Sequence, residues 1–305
     1  MTRVLMVFAG VLALLGPFAS ALPTLSAAAD DNEMIVAGTE APEGKYPWQV
    51  RLYSSMEDKR GFCGGTIIAP QWILTAGHCV SVGPKEIGPH TIQDPAKVVV
   101  GYGSNDRTKT KKIAAEKIFV RQEFQKNGLA GKGDLALIKL KTPILDPKVI
   151  ALADPAADTK FVIDGTKLTA TGWGALWSPF DKDVSALMPD LGTTGEMMDK
   201  WQFPLKLREV EIDAMDNTSC KAVFAGTPFT VAPTEICAMT KGTTKDICQG
   251  DSGGPLIVPA SDSPQGYYQV GIMSWTTICG STTKPSVFAR VSPFTGWIND
   301  TMKSN

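Results

Sequence analysis

Short β-rich runs recur along almost the whole chain between glycine- and proline-marked turns, with little helical periodicity among them. Gln49-Val50-Arg51-Leu52-Tyr53, Thr66-Ile67-Ile68 and Lys97-Val98-Val99-Val100 are early examples; Leu135-Ala136-Leu137-Ile138 and Gln269-Val270-Gly271-Ile272-Met273 come later. Runs of this length and composition fit a pleated, half-buried surface, and many of them in succession point to an all-β sandwich or barrel. The end of the chain differs: Phe294, Trp297, Ile298 and Met302 fall at helical spacing, so one amphipathic helix is expected over about 291–303. A proline-marked stretch, 143–160, divides the strand runs into groups at 35–142 and 161–290, and 305 residues are enough for two cores.

The first residues are of another kind. A basic start, Met1-Thr2-Arg3, leads into an apolar run to Phe18, and Ala19-Ser20-Ala21 offers small residues for cleavage. Residues 1–21 therefore read as a secretory signal peptide, too short for a spanning helix, which leaves no membrane segment after its removal. Residues 22–34 are small and acidic and read as a propeptide. Six cysteines in an exported chain favour three disulfides, with fifteen pairings open to the sequence alone. No Cys-x-x-Cys occurs and neither histidine sits in a ligand-spaced cluster, so no metal site and no cofactor are expected. A net charge of −1 gives no electrostatic case for nucleic acid.

Three segments carry chemistry. Cys248-Gln249-Gly250-Asp251-Ser252-Gly253-Gly254-Pro255 sets a serine hydroxyl on a glycine-rich turn, where backbone amides can point at an incoming carbonyl oxygen. Such a hydroxyl is a poor nucleophile without a base, and Leu74-Thr75-Ala76-Gly77-His78-Cys79 offers an imidazole. Gly133-Asp134-Leu135-Ala136 offers a carboxylate to orient it. The serine turn also satisfies the G-x-S-x-G pattern of α/β-hydrolases, but that fold needs its histidine after the serine. Both histidines here, His78 and His90, precede Ser252, which excludes it.

In the order His, Asp, Ser, these segments resemble the chymotrypsin/trypsin family of serine endopeptidases, with Cys63-Gly64-Gly65, Gly172-Trp173-Gly174 and Ser274-Trp275 extending the likeness over most of 35–305. The resemblance implies two six-stranded antiparallel β-barrels with a C-terminal α-helix, and an acyl-enzyme mechanism. It implies His78, Asp134 and Ser252 as a catalytic triad, with the amides of Gly250 and Ser252 as an oxyanion hole. It selects the pairs Cys63–Cys79, Cys220–Cys237 and Cys248–Cys279. It marks Ile35 as a new N-terminus whose ammonium pairs with Asp251 after cleavage. Protein or peptide substrates, an activating protease and protein inhibitors follow as partners. The cut would come after Met34, which a trypsin-like activity would not make, so a different processing enzyme is implied.

Asp246 stands where trypsins carry the carboxylate at the base of the primary pocket, which implies cleavage after Arg or Lys. The resemblance also places Ser274 and Trp275 in a wall of that pocket. Ile247, Thr276 and Ser286 are bulkier than the residues trypsins use there, which leaves small or apolar side chains as the alternative preference. A protease-fold binding or signalling protein with little catalysis is the rival from another class. The insertion 177–203, longer than its equivalent in short relatives, is expected to shape substrate access. Lys109-Thr110-Lys111-Lys112 stands where calcium-binding relatives carry acidic ligands, so no calcium site is implied.

Overall fold

The computed structural model describes residues 38–84, 88–176 and 203–305. The expected signal peptide at 1–21, the expected propeptide at 22–34, Ile35 and residues 177–202 of the insertion lie outside the described residues.

Twelve strands build two closed barrels, and both barrels use one strand order. The first comprises β1 (Gln49–Tyr53), β2 (Cys63–Ala69), β3 (Trp72–Thr75), β4 (Val99–Tyr102), β5 (Lys111–Val120) and β6 (Ala136–Leu140), paired around the ring as β1-β2-β3-β6-β5-β4. The second comprises β7 (Lys167–Gly172), β8 (Arg208–Met215), β9 (Glu235–Ala238), β10 (Pro255–Pro259), β11 (Tyr267–Trp275) and β12 (Ser286–Arg290), paired as β7-β8-β9-β12-β11-β10. All the ring pairings are antiparallel. The two six-stranded barrels expected from the sequence are therefore the fold.

Side-chain alternation decides which face is buried. In β8, Arg208, Val210, Ile212 and Ala214 are buried while the residues between them are more open, the period of two that a one-sided strand requires. β1 is buried throughout. Val50 and Leu52 belong to the first barrel's core, while Gln49 and Arg51, on the alternate face, bond toward the second barrel. The seam is polar and close. Gly64 N–H donates to the Ser252 carbonyl at 2.7 Å, and Thr171 Oγ1 donates to Gln49 Oε1 at 2.7 Å. One apolar cluster gathers around Trp48, Ile73, Leu74 and Leu137 and reaches across the seam to Ile257, Ile272 and Ala289; a second lies within the second barrel around Leu168, Ile212, Leu256 and Phe288.

Among the described residues, three short helices escaped the periodicity argument: Gln122–Asn127, Pro155–Phe161 and Asn217–Val223. The second lies in the connection between barrels, after Ala151–Leu152, which pairs in parallel with β11. The terminal helix is Thr295–Ser304, entered through a 3-10 turn at Ser292–Phe294. Although it follows the second barrel, Phe294 and Ile298 join the first barrel's core, so the chain end clasps the opposite half.

Disulfides join Cys63 to Cys79, Cys220 to Cys237 and Cys248 to Cys279. Ile298 is fully buried at the clasp, and removing its side chain leaves a cavity where helix and barrel meet. Ile298→Ala is expected to lower stability by about 2–4 kcal/mol, read as a shift of the urea midpoint with an unchanged slope.

Candidate active site

His78 sits in a single 3-10 turn, Gly77–Cys79, just beyond the end of β3, and Cys79 within that turn is tied to β2 by its disulfide. Asp134 lies just before β6, and β6 pairs with β3. The pairing therefore brings two residues far apart in sequence to one end of the barrel. The Asp134 carboxylate is buried and takes three bonds. His78 Nδ1 donates to Oδ2 at 2.7 Å, and the His78 backbone N–H donates to Oδ1 at 2.9 Å. From the second barrel, Ser274 Oγ donates to Oδ2 at 2.6 Å.

An ionised carboxylate only accepts, so Nδ1 carries the ring proton and Nε2 is the basic nitrogen of the neutral ring. Burial disfavours the imidazolium, but the charge and hydrogen bond of Asp134 outweigh it and raise the His78 pKa above its ordinary value of 6.5. Burial likewise pushes Asp134 up, and the His78 and Ser274 donors more than reverse it, holding the carboxyl below the usual range. Cys63, Cys79 and His78 cluster within 4.8 Å, but both sulfurs are in a disulfide and have no thiolate to offer a metal.

Ser252 opens on the same cavity as His78, a cleft of about 360 Å³ whose walls include His90, Gln249, Trp275 and Thr276. The turn before it passes through positive φ at Gly250, +96°, a conformation that glycine adopts freely and a side chain would resist. Asp251 turns inward and is buried. Its carboxylate accepts from Gly174 N–H at 2.7 Å and from Cys248 N–H at 2.9 Å. A Cβ on Gly172 or Gly174 would collide with that carboxylate, so the Gly172-Trp173-Gly174 motif is a niche shaped for it. Burial raises Asp251 to about 6, against the pull of the two N–H donors and the Arg51 charge.

The residues expected to bind substrate divide into two sets. Ser274, Trp275 and Thr276 line the cleft. Asp246, Ile247 and Ser286 are buried behind that lining. Asp246 Oδ1 accepts from Ile247 N–H at 2.8 Å and from Ser286 Oγ at 2.6 Å, and Oδ2 accepts from Gly280 N–H at 3.0 Å. Burial pushes its carboxyl up to about 7, and those donors only partly offset it. Ile247 packs into the second barrel's core.

Two residues at the site went unread in the sequence. Glu235, buried in β9, accepts from Trp275 Nε1 at 3.2 Å and pairs with Lys132 Nζ at 3.2 Å, two positions before Asp134. Arg51, buried in β1, donates from Nη1 to the Gly250 carbonyl at 2.6 Å. Glu235 sits in a run with no motif of its own. For Arg51 the one available signal was a polar residue alternating with Val50 and Leu52, which reads equally well as a solvent-facing side chain.

Comparison with known proteins agrees with this geometry. The Trypsin family model matches residues 35–188 and 190–298. Tryptase of Mus musculus is 32% identical over 276 residues, covering 88% of this chain and 88% of the mouse protein. The matched residues include His78, Asp134 and Ser252 and both barrels, and the chain belongs to the trypsin family of serine endopeptidases.

Proposed function

We propose that the chain is an exported endopeptidase in which Ser252, His78 and Asp134 form the triad and cleavage follows Lys or Arg. The observation that carries this reading is the His78 Nδ1–Asp134 Oδ2 bond of 2.7 Å beside Ser252 in one cleft. Ser252 Oγ attacks the peptide carbonyl while His78 Nε2 takes its proton. The amides of Gly250 and Ser252 receive the negative charge that develops on the carbonyl oxygen. Collapse breaks the C–N bond, the proton passes from His78 to the leaving amine, and water repeats the sequence on the acyl-enzyme. Asp134 stays ionised throughout and stabilises the imidazolium.

The specificity reading rests on Asp246. Two donors occupy Oδ1 and one occupies Oδ2, so one acceptor position is left. A lysine ammonium meets that position as a point charge, whereas the arginine fork is suited to both oxygens at once. Export under the signal peptide, activation by a cut before Ile35 and control by protein inhibitors complete the reading. The freed Ile35 ammonium would give the buried Asp251 carboxylate the counter-charge that its raised pKa calls for.

Three outcomes test it. Cleavage of a diverse peptide pool is expected after Lys, more than after Arg, and not at all by Ser252→Ala; cuts after small apolar residues would retain the mechanism and overturn the pocket assignment. Protein that keeps residues 30–34 is expected to be inactive until cut before Ile35, and equal activity in both forms would remove Asp251 from the switch. The pH dependence follows from His78. Its raised pKa means that its contribution to folding is complete below about pH 6.5 and is lost as pH rises through the folded value, while kcat/KM does the reverse. Asp134→Asn is expected to cost about 10⁴-fold in kcat and to move the acid limb of the profile to lower pH.

A further inference from the structure

Arg51 is 1% exposed and, among the described residues, is the one arginine among the largest fully buried side chains. A guanidinium in such a position has to satisfy its donors on fixed acceptors, because unpaired buried donors are costly. Here all three nitrogens find main-chain carbonyls. Nε donates to Arg60 O at 3.2 Å and Nη2 donates to Gly61 O at 3.1 Å, both in the first barrel. Nη1 crosses the seam to Gly250 O at 2.6 Å. Burial pulls the group down to about 10, with the Asp251 charge opposing, so it remains a cation at neutral pH.

The first-barrel side of this bridge is built to hold it. Gly61 has φ +70°, and a Cβ there would come within 2.7 Å of Arg51 Nε and of the Leu52 carbonyl. The Arg60–Gly61 turn is itself fixed by Asp58, whose Oδ1 accepts from Arg60 N–H at 2.9 Å and from Gly61 N–H at 3.1 Å. Burial would raise Asp58, but its backbone and Ser54 donors bring it down to about 2, so this brace is charged across the working pH range.

The second-barrel end is Gly250, whose amide is assigned to the oxyanion hole. Gly250 has no side chain to restrict its rotation, yet its N–H must point into the cleft when the tetrahedral intermediate forms. Its N–H shares a peptide plane with the Gln249 carbonyl, which accepts from Ala175 N–H at 2.8 Å, and its own carbonyl, in the next plane, is the handle by which its ψ angle, and with it the run to Ser252, can be held. We propose that Arg51 is a positioning residue for catalysis: it anchors the Gly250 carbonyl from the first barrel and so presets the oxyanion-hole amides of Gly250 and Ser252. This inference rests on the acyl-transfer reading of Ser252. Its consequence is that Arg51 acts on the transition state and hardly at all on the bound substrate.

The experiment compares wild type, Arg51→Met and Arg51→Lys, each expressed as the full chain and cut before Ile35. Labelling of wild type by a fluorophosphonate comes first; an unlabelled wild type refutes the acyl-transfer reading itself, before Arg51 is at issue. With labelling established, Arg51→Met is expected to lose about 10- to 100-fold in kcat with KM changed less than about twofold, short of the full loss of an oxyanion donor. Inhibition by a peptide aldehyde, which forms a tetrahedral adduct on the serine, should weaken by the same factor as kcat/KM. The corresponding peptide acid, a product-like ligand, should bind as before. Arg51→Lys, which keeps a cation on the stem, should recover part of the loss. Wild-type kcat in Arg51→Met, equal weakening of the aldehyde and the acid, or failure of both variants to fold would each overturn the proposal, the last by assigning Arg51 to stability alone.

Discussion

Everything at this site depends on a carboxylate that has been taken out of water. Asp134 is compensated by three donors, two from His78 and one from Ser274, and the last belongs to the other barrel. A buried ion of this kind is costly unless its geometry is satisfied. The requirement makes the two barrels' relative position part of the chemistry, because a shift at the seam would leave Asp134 short of the Ser274 hydroxyl. The same seam carries the Gly64–Ser252 bond and the Arg51–Gly250 bond. The backbone of Ser252, the proposed nucleophile, is thus hung from the half of the molecule that carries His78.

The serine loop carries two further buried carboxylates, and neither has an ion-pair partner among the described residues. Asp246 and Asp251 are both raised by burial, to about 7 and about 6, while each is stabilised by backbone N–H donors. With folded pKa values above the ordinary 3.8, each weakens folding as pH rises from about 4 through its folded value. A loop holding two such groups gains from incoming cations. Disulfide Cys248–Cys279 joins that loop to the strand-end wall beyond Trp275 and limits how far it can relax when a cation is missing.

Much of this was legible in the sequence, for local reasons. The short β-rich runs, the glycine-rich serine turn and the apolar spacing of the terminal helix are all local physics. The barrel closure, by contrast, is a matter of long-range pairing, and only the family resemblance supplied it. The helices Pro155–Phe161 and Asn217–Val223 had their signals, since Asp154 caps Ala157 N–H and Asp216 caps Thr218 and Ser219 N–H. They are only seven residues long, too short to develop an apolar stripe, so periodicity passed over them. The occupancy of Asp246 was illegible for a different reason. Ser286 stood out as a bulkier residue, but that its hydroxyl would donate to the carboxylate depends on β12 lying behind the loop, which no local pattern encodes.

Arg51 shows how far this limit extends. On a strand, alternation separates core from solvent only while one face is wet. β1 has both faces covered, the inner by its own barrel and the outer by its neighbour, so its polar positions become the most constrained in the strand instead of the least. Gln49 and Arg51 then serve as this strand's contacts with the other barrel, one to Thr171 and the other to Gly250. Gly61 makes room for the guanidinium, so the pair is coupled: an arginine needs the missing Cβ, and the missing side chain leaves a void that the arginine fills. The repeated strand order gives two similar barrels, and polar side chains on a doubly covered strand join the Ser274–Asp134 bond and the shared apolar cluster in making one barrel answerable to the other.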